Sequence, residues 1–161
     1  QVKSLYRDVI YSVTEGKLTL IDDQELKWIV TQETVVEVPI YKKTDAKTCR
    51  ETIEKLMASY DLSDKKRFNI LLCVSEAVTN VIKHAGEGKM KVYYVENVLT
   101  IVVEDKGSGI ELSDIPKTTL LKGYSTKVSL GHGFSLLVNL MDKIRVNTGP
   151  KGTTVVMEIQ I

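Results

Sequence analysis

The sequence predicts an α+β domain in which a mixed, mostly antiparallel sheet is covered by helices in a two-layer sandwich. Two pairs of apolar, β-rich segments joined by short turns predict hairpins, at 89–105 and at 144–161. Two long segments with helical apolar spacing precede the first hairpin, at about 44–60 and 63–85. Because helices and strands are grouped unevenly, the pattern favours α+β.

Composition limits the class of protein. With 161 residues, 43% hydrophobic and 27% charged, the chain can form one compact domain with a sizeable core. The net charge of +1 provides no electrostatic footprint for nucleic acid or an acidic membrane. No apolar run approaches the roughly 18 residues that span a bilayer, and no signal-peptide pattern is present. Cys49 and Cys73 lie on helical stretches, which favours buried free thiols. We therefore expect a soluble cytoplasmic protein that binds neither membranes nor nucleic acid.

Residues 1–32 are predicted to be an N-terminal extension, and residues 33–161 the main domain. In the extension, a segment with helical apolar spacing is followed by a short strand, "KLTLI", and a helical turn, "QELKWIV". The main domain begins with the strand "TVVEVPI", in which Pro39 implies an edge position or a strand end.

Two helices follow this strand. Thr44 is the predicted N-cap of the first helix, whose buried residues are expected to be Ala46, Cys49, Ile53, Leu56, Met57 and Tyr60. Ser63 is expected to cap the second, longer helix, which runs to about Ala85 and stops at Gly86.

The second helix carries a polar line on a mostly apolar surface. Glu76, Asn80 and Lys83 follow one another at helical spacing, so their side chains project from one narrow face. Taken alone, this line is either a solvated helix face or one wall of a binding site.

The rest of the chain supplies the sheet and a long loop. "KMKVYYVE" and "VLTIVVED" form a predicted hairpin around Asn97. Residues 106–130 show no regular spacing of apolar residues and are predicted to form a long loop, which in a compact domain is usually functional or mobile. The segment "GFSLLVNLMDK" is predicted to be helical. In the last hairpin one face is predicted to be buried, because Val155, Met157, Ile159 and Ile161 alternate with Val156, Glu158 and Gln160.

Two glycine-containing motifs could contact a nucleotide. In "DKGSGI", Asp105 ends a strand and the chain then turns on Gly107 and Gly109. Its carboxylate could accept a hydrogen bond from an exocyclic amine such as that of adenine, or could make an ordinary Asx bond to its own backbone. In "LGHGF", Gly131 and Gly133 open a helix, either as a phosphate cradle or as a flexible entry to it.

Other common sites are not indicated. The two Gly-Lys pairs are not followed by Ser or Thr, so no P-loop is present. Leu136 stands where a dinucleotide fingerprint that included Gly133 would need glycine. The two histidines and the two cysteines are too far apart along the chain to form a zinc-binding pair at typical spacing.

Five motifs in order resemble the nucleotide-binding motifs of the GHKL ATPase superfamily, which includes gyrase, the large heat-shock chaperone, histidine kinases and MutL. They are "EAVTNVIKH", "DKGSGI", "YSTK", "GHGF" and "GTTV". Three segments most closely resemble the bacterial anti-sigma-factor and switch-protein serine kinases. They are "VSEAVTNVIKH", "GHGFSLLVNLMDKI" and "KGTTVVMEI". The resemblance covers about residues 35–161 and implies the Bergerat, or histidine-kinase-like, fold.

The resemblance also implies ATP and Mg²⁺ as ligands and suggests residue roles. By motif position Asn80 is the Mg²⁺ ligand, Glu76 the general base, and Asp105 the reader of the adenine amine, helped by Thr153. Gly109 would let the chain pass beneath the base, and residues 111–130 would form a lid over the nucleotide. The remaining residues expected at the nucleotide are Lys83, His84, Gly107, Ile110, Ser125, Thr126, Lys127, Gly131, His132, Gly133 and Phe134.

The leading functional hypothesis is an ATP- and Mg²⁺-dependent protein serine/threonine kinase. It would act as an anti-sigma or switch-type regulator on a STAS-type anti-anti-sigma partner, with a sigma factor as a second expected partner. One alternative is an ATP-gated module that binds a sigma factor with little catalysis. Another is the detached ATP-binding domain of a histidine kinase. The segment "GYSTK" resembles the corresponding segment of histidine kinases. For residues 1–32 a homodimer contact, a sigma-binding surface and a tether all remain open.

Overall fold

The computed structural model describes residues 2–30, 33–112 and 134–161. The helices are α1 Val2–Val13, α2 Asp23–Ile29, α3 Thr44–Met57, α4 Asp64–His84 and α5 Phe134–Leu140. The strands are β1 Leu18–Leu20, β2 Val36–Ile40, β3 Gly88–Val95, β4 Val98–Asp105, β5 Lys143–Gly149 and β6 Gly152–Gln160. No helix within the described ranges is both long and apolar enough to cross a lipid bilayer.

The strands form one mixed sheet in the order β1-β5-β6-β4-β3-β2. Only the β1–β5 pair is parallel among the described strands, and the other neighbours are antiparallel. The predicted α+β class with a mostly antiparallel sheet is therefore confirmed. Strand β2 lies at one edge, where Pro39 can be accommodated without removing a central ladder hydrogen bond.

The main core lies between one face of the sheet and the helices that cover it. Helix α4 contributes an apolar stripe to this core, formed by Ile70, Cys73, Val74, Ala77, Val78 and Val81. Opposite the helices stand sheet residues including Met90, Val92, Ile101, Val103 and Met157. This arrangement fixes α4 across the sheet, so Asn80 and His84 line a cleft at the end of β4.

The opposite face of the sheet is covered in part by α2. Leu26, Ile29 and Val30 pack against Tyr93, Val102 and Val156. The alternation in the last strand predicts that Val156 lies on the face of the sheet opposite the buried one and is exposed. The expected exposure is wrong, because Val156 is 0% exposed. The residues that cover it come from the N-terminal part of the chain, which the strand's own pattern does not report.

The N-terminal residues are attached to the sheet at several points. Strand β1 pairs in parallel with β5, and Leu18 lies in the main core. The guanidinium of Arg7 donates two hydrogen bonds, of 3.0 and 3.1 Å, to the carboxylate of Glu25. The amide of Asn147 on β5 donates to the carbonyl of Ile21. The division into residues 1–32 and 33–161 stays a prediction.

Of the two predicted helix caps, one is confirmed and the other is wrong. Ser63 caps α4 as predicted, since its hydroxyl accepts the N–H of Lys66 at 3.1 Å. The prediction for Thr44 is wrong, because Thr44 is already the first residue of α3. The carboxylate of Asp45 instead accepts the N–H groups of Tyr41 and Lys42, at 2.7 and 2.9 Å. These backbone hydrogen bonds hold the pKa of Asp45 below its usual value.

The end of α3 also differs from its predicted position. The helix ends at Met57, so Tyr60 lies beyond it and is half-buried. Its ring packs against that of Tyr94, with 5.2 Å between the ring centroids. Tyr60 therefore contacts the sheet from the connection between α3 and α4.

Candidate functional site

A cleft lies between α4, the end of β4, the start of β6 and the start of α5. Its lining combines apolar side chains with a few polar groups, as ligand pockets do. The lining residues are Ala77, Asn80, Val81, His84, Ala85, Val103, Asp105, Gly107, Ser108, Gly109, Ile110, Phe134, Leu137, Thr153 and Val155.

The carboxylate of Asp105 is held through one of its two oxygens. Oδ1 accepts the N–H of Gly107 at 2.9 Å and the N–H of Thr153 at 3.0 Å. The first contact is the Asx bond that the sequence allowed, and the second joins the end of β4 to β6. Among the described residues no donor contacts Oδ2. Asp105 can therefore accept a hydrogen bond from a ligand without losing its own support.

Two glycines shape the turn that follows Asp105. Gly109 has φ +92, in the left-handed region, and a Cβ added there would lie 2.3 Å from the carbonyl oxygen of Gly149. A Cβ on Gly107 would lie 2.9 Å from the Cβ of Ala85, the C-cap residue of α4. Both positions therefore need glycine for the turn to pack between α4 and the β5–β6 hairpin.

Two threonine hydroxyls connect this turn to the β5–β6 hairpin. Thr148 and Thr153 are partners in the antiparallel register, and their Oγ1 atoms are 2.8 Å apart. The oxygen of Thr148 also accepts the N–H of Ile110 at 2.8 Å. Thr153 is 5% exposed and lines the cleft, so its hydroxyl is a buried polar group in the wall of the cleft.

The polar line on α4 is only partly at the cleft. Asn80, half-buried, and His84, exposed, are among the lining residues. Glu76 is half-buried one turn before Asn80, and Lys83 is exposed, and neither of these two lines the cleft. The helix thus brings Asn80 and His84 to the same cleft as Asp105, with Glu76 further along the same helix.

The other predicted site residues divide into two groups. Phe134 is 2% exposed and lines the cleft together with Ile110. The predictions for Ser125, Thr126, Lys127, Gly131, His132 and Gly133 lie outside the described residues.

Several lining residues were not selected from the sequence. Ala77 and Val81 on α4 and Ala85 at its C-cap form an apolar strip beside Asn80 and His84. Their spacing of four residues is the signal that could have identified them. Thr148, which contacts Thr153 from behind the cleft, belongs to none of the motifs, but pairing the two strands across the turn "GPKG" would have placed it opposite Thr153.

The residue types in and around the cleft limit how the site could bind a metal ion. The described residues contain no group of three or more His, Cys, Asp or Glu side chains that could bind an ion. Mg²⁺ commonly keeps several waters and is bound by one or two protein oxygens together with substrate phosphates. The amide oxygen of Asn80, at the edge of the cleft, suits this mode of binding.

Comparisons with known proteins show which proteins this chain is similar to. Residues 41–159 match the family profile of the histidine kinase-like ATPase domain. The chain is 32% identical over 122 residues to an anti-sigma F factor of Caldanaerobacter subterraneus subsp. tengcongensis, covering 72% of this chain and 85% of that protein. It is 34% identical over 120 residues to an anti-sigma F factor of Priestia megaterium, covering 68% and 80%. The catalytic domain of histidine kinase ThkA superposes with a TM-score of 0.49 and 17% identity, covering 78% of this chain and 96% of that domain.

Proposed function

Because the chain belongs to the histidine kinase-like ATPase family, a GHKL family in which it is close to the anti-sigma factors, we propose that it is an ATP- and Mg²⁺-dependent protein serine/threonine kinase. It would act as an anti-sigma or switch-type regulator whose substrate is a STAS-type anti-anti-sigma protein. The observation that supports this most directly is the Asp105 carboxylate, fixed by two backbone N–H groups through Oδ1.

Adenine would be recognised by two polar groups, Asp105 at the end of β4 and Thr153 at the start of β6. Oδ2 of Asp105 accepts a hydrogen bond from the exocyclic amine of adenine, and the hydroxyl of Thr153 contacts the neighbouring ring nitrogen directly or through a water. The apolar residues Ala77, Val81 and Val103 contact the base plane. ATP binding itself is implied by membership of an ATPase family.

The phosphates extend from this pocket along α4. Asn80 would hold Mg²⁺ through its amide oxygen, and the ion would neutralise charge on the phosphates during transfer. Lys83 and His84 lie in the last turn of α4, and by motif position Lys83 is the better candidate for direct phosphate contact. Ser125, Thr126, Lys127 and the glycines at 131 and 133 are the further phosphate contacts that we propose from their motifs.

Glu76 is the proposed general base. A serine or threonine hydroxyl of the partner attacks the γ-phosphorus, the carboxylate of Glu76 takes the hydroxyl proton, and ADP leaves with its bridging oxygen. Glu76 lies one helical turn from Asn80 and away from the lining of the base pocket. This separation suits a group that acts on the terminal phosphate rather than on the adenine.

The proposed partners follow from the relatives, both named anti-sigma F factor. A sigma factor is then the second partner, and a homodimer the proposed assembly. Cys49 and Cys73 are free and buried, which fits the reducing cytoplasm as the proposed location. The only histidines are His84 and His132, and both belong to nucleotide motifs rather than to a phosphoacceptor helix rich in acidic residues.

The test is to incubate the protein with labelled ATP, Mg²⁺ and purified candidate STAS proteins, and to map any label. Transfer to serine or threonine of a STAS protein is the expected result. Label on a histidine of a partner would instead place the protein with histidine kinases. ATP-dependent sigma-factor binding without transfer to any cognate partner would favour the ATP-gated binding module.

A further inference from the structure

Thr148 lies at the centre of a small hydrogen-bond network behind the cleft. Its hydroxyl oxygen accepts the N–H of Ile110 at 2.8 Å and lies 2.8 Å from the hydroxyl oxygen of Thr153. Thr148 is half-buried on β5, and Thr153 is 5% exposed on β6. Thr148 therefore touches both the turn after Gly109 and the polar wall of the pocket.

The direction of the hydroxyl–hydroxyl bond can be deduced from the partners of Thr148. A threonine hydroxyl donates one hydrogen and accepts through two lone pairs. Ile110 N–H occupies one lone pair of Thr148. In the part of the chain that the structure describes, Thr153 Oγ1 is the one acceptor in contact with the Thr148 hydroxyl. Donation from Thr148 to Thr153 therefore satisfies both groups, whereas the reverse direction leaves the hydrogen of Thr148 without a described protein acceptor.

We propose that Thr148 is a positioning residue that turns the Thr153 hydroxyl into a donor toward the cleft and so sets the purine preference of the pocket. This inference rests on the nucleotide binding proposed above. Once Thr153 accepts from Thr148, its own hydrogen is free for a ligand. Next to it Asp105 carries a carboxylate, which when ionised can only accept.

A donor beside an acceptor matches only one type of purine edge. Adenine presents its amine, a donor, next to ring nitrogen N1, an acceptor. Hypoxanthine, the base of inosine, presents a carbonyl acceptor next to an N1–H donor, which is the inverse pattern. A site built to hydrogen-bond one pattern rejects the other, because its buried polar groups are left unpaired.

The experiment compares the wild type with Thr148→Val, which removes the hydroxyl at nearly constant shape, and with Thr148→Ser, which keeps it. Calorimetry with Mg·ATP and Mg·ITP gives the ratio of the two affinities for each protein. Thr154→Val is the matched control, since Thr154 follows Thr153 on β6, is buried, and does not line this cleft. Amide hydrogen exchange at Ile110 is measured without nucleotide.

The wild type is expected to prefer ATP, and Thr148→Val to reduce the ATP-to-ITP ratio by about 10-fold, equivalent to 1.4 kcal/mol. Thr148→Ser should restore the ratio, Thr154→Val should leave it unchanged, and Ile110 exchange should accelerate only in Thr148→Val. Wild-type ATP binding with an unchanged ratio in Thr148→Val would overturn this inference alone. So would an equal loss of both nucleotides that serine does not rescue, since that indicates a merely structural role. Failure of the wild type to bind either nucleotide would overturn the proposed function and the purine preference with it.

Discussion

Oδ1 of Asp105 accepts the backbone N–H of Thr153 at 3.0 Å, across 48 positions of sequence. This bond joins the end of β4 to the start of β6 at the point where both strands border the cleft. It fixes one carboxylate oxygen and leaves the other for a ligand. The proposed recognition of the base by Asp105 would therefore depend on a contact within the sheet, and not only on the glycine turn that follows Asp105.

Asp105→Asn is expected to weaken ATP binding by about 10- to 100-fold, the effect of leaving a buried polar group badly paired. The asparagine oxygen can still accept the N–H groups of Gly107 and Thr153. Its NH₂ group then replaces Oδ2 and opposes the adenine amine, donor against donor. Calorimetry with ATP and ITP checks this, with Asp61→Asn on the exposed surface as the control. Equal losses for the two nucleotides, or no loss for either, would contradict the assignment.

Asn80 and Glu76 lie one turn apart on α4, but their effects on nucleotide affinity and on phosphotransfer are expected to be separable. Asn80→Ala should reduce ATP affinity in the presence of Mg²⁺ and have little effect with EDTA, with Asn69→Ala on the same helix as control. Glu76→Gln should leave affinity nearly intact and slow phosphotransfer by about 10²-fold or more, as the loss of a general base does. Glu54→Gln, exposed on α3, is the control for that measurement. If Glu76→Gln abolishes ATP binding, Glu76 has a structural role instead.

Gly109→Ala is expected to destabilise the protein more than Gly86→Ala. Both glycines have positive φ, +92 and +78, so both substitutions carry the conformational cost of about 1 kcal/mol. At Gly86 nothing lies within 4 Å of an added Cβ, but at Gly109 the carbonyl oxygen of Gly149 would be 2.3 Å away. Urea unfolding of the two variants measures the difference, and ATP affinity should fall only for Gly109→Ala. Equal loss of stability would show that the turn can move away from the hairpin at little cost.

The two cysteines are expected to resist thiol reagents in the folded protein. Burial, with a smaller contribution from the charge of Asp45 at Cys49 and of Glu76 at Cys73, raises the pKa of both thiols from 9.0 to about 12. Between pH 8 and 9 a disulfide reagent should therefore modify both thiols only after unfolding in guanidinium. Rapid labelling of the folded protein would contradict the burial of these side chains.

The same pKa shifts predict how stability depends on pH. Below about pH 9 both states keep the thiol protons, and above it the unfolded chain loses them first. The unfolded state then binds fewer protons, so the free energy of unfolding falls as the pH rises from 9 toward 12. Urea midpoints at pH 8 and 10 for the wild type and for the Cys49→Ala, Cys73→Ala double variant isolate this contribution, because the variant lacks it.

Features set by neighbours in sequence were predicted correctly. Ser63 caps α4 through a residue three positions later, and α4 ends at His84, next to the predicted end at about Ala85. The hairpin of β3 and β4 turns at Glu96 and Asn97, whose φ values of 50° and 66° suit such a turn. The strand end at Asp105 followed by glycines indicated a carboxylate beside exposed backbone. These features depend on hydrogen bonds and side-chain periods within a few residues, so the sequence by itself determined them.

Contacts between distant segments decided the rest. Val156 is buried because α2 packs on it, and Thr148 matters because the hairpin register places it against Thr153 and the turn at Ile110. Asn80 lines the cleft and Glu76 does not, because of the way in which α4 crosses the sheet. The physical reason is that burial and hydrogen-bond pairing across the sheet are properties of the packed chain. A pattern of apolar and polar residues reports which faces can be buried, and the tertiary structure alone reports what covers them.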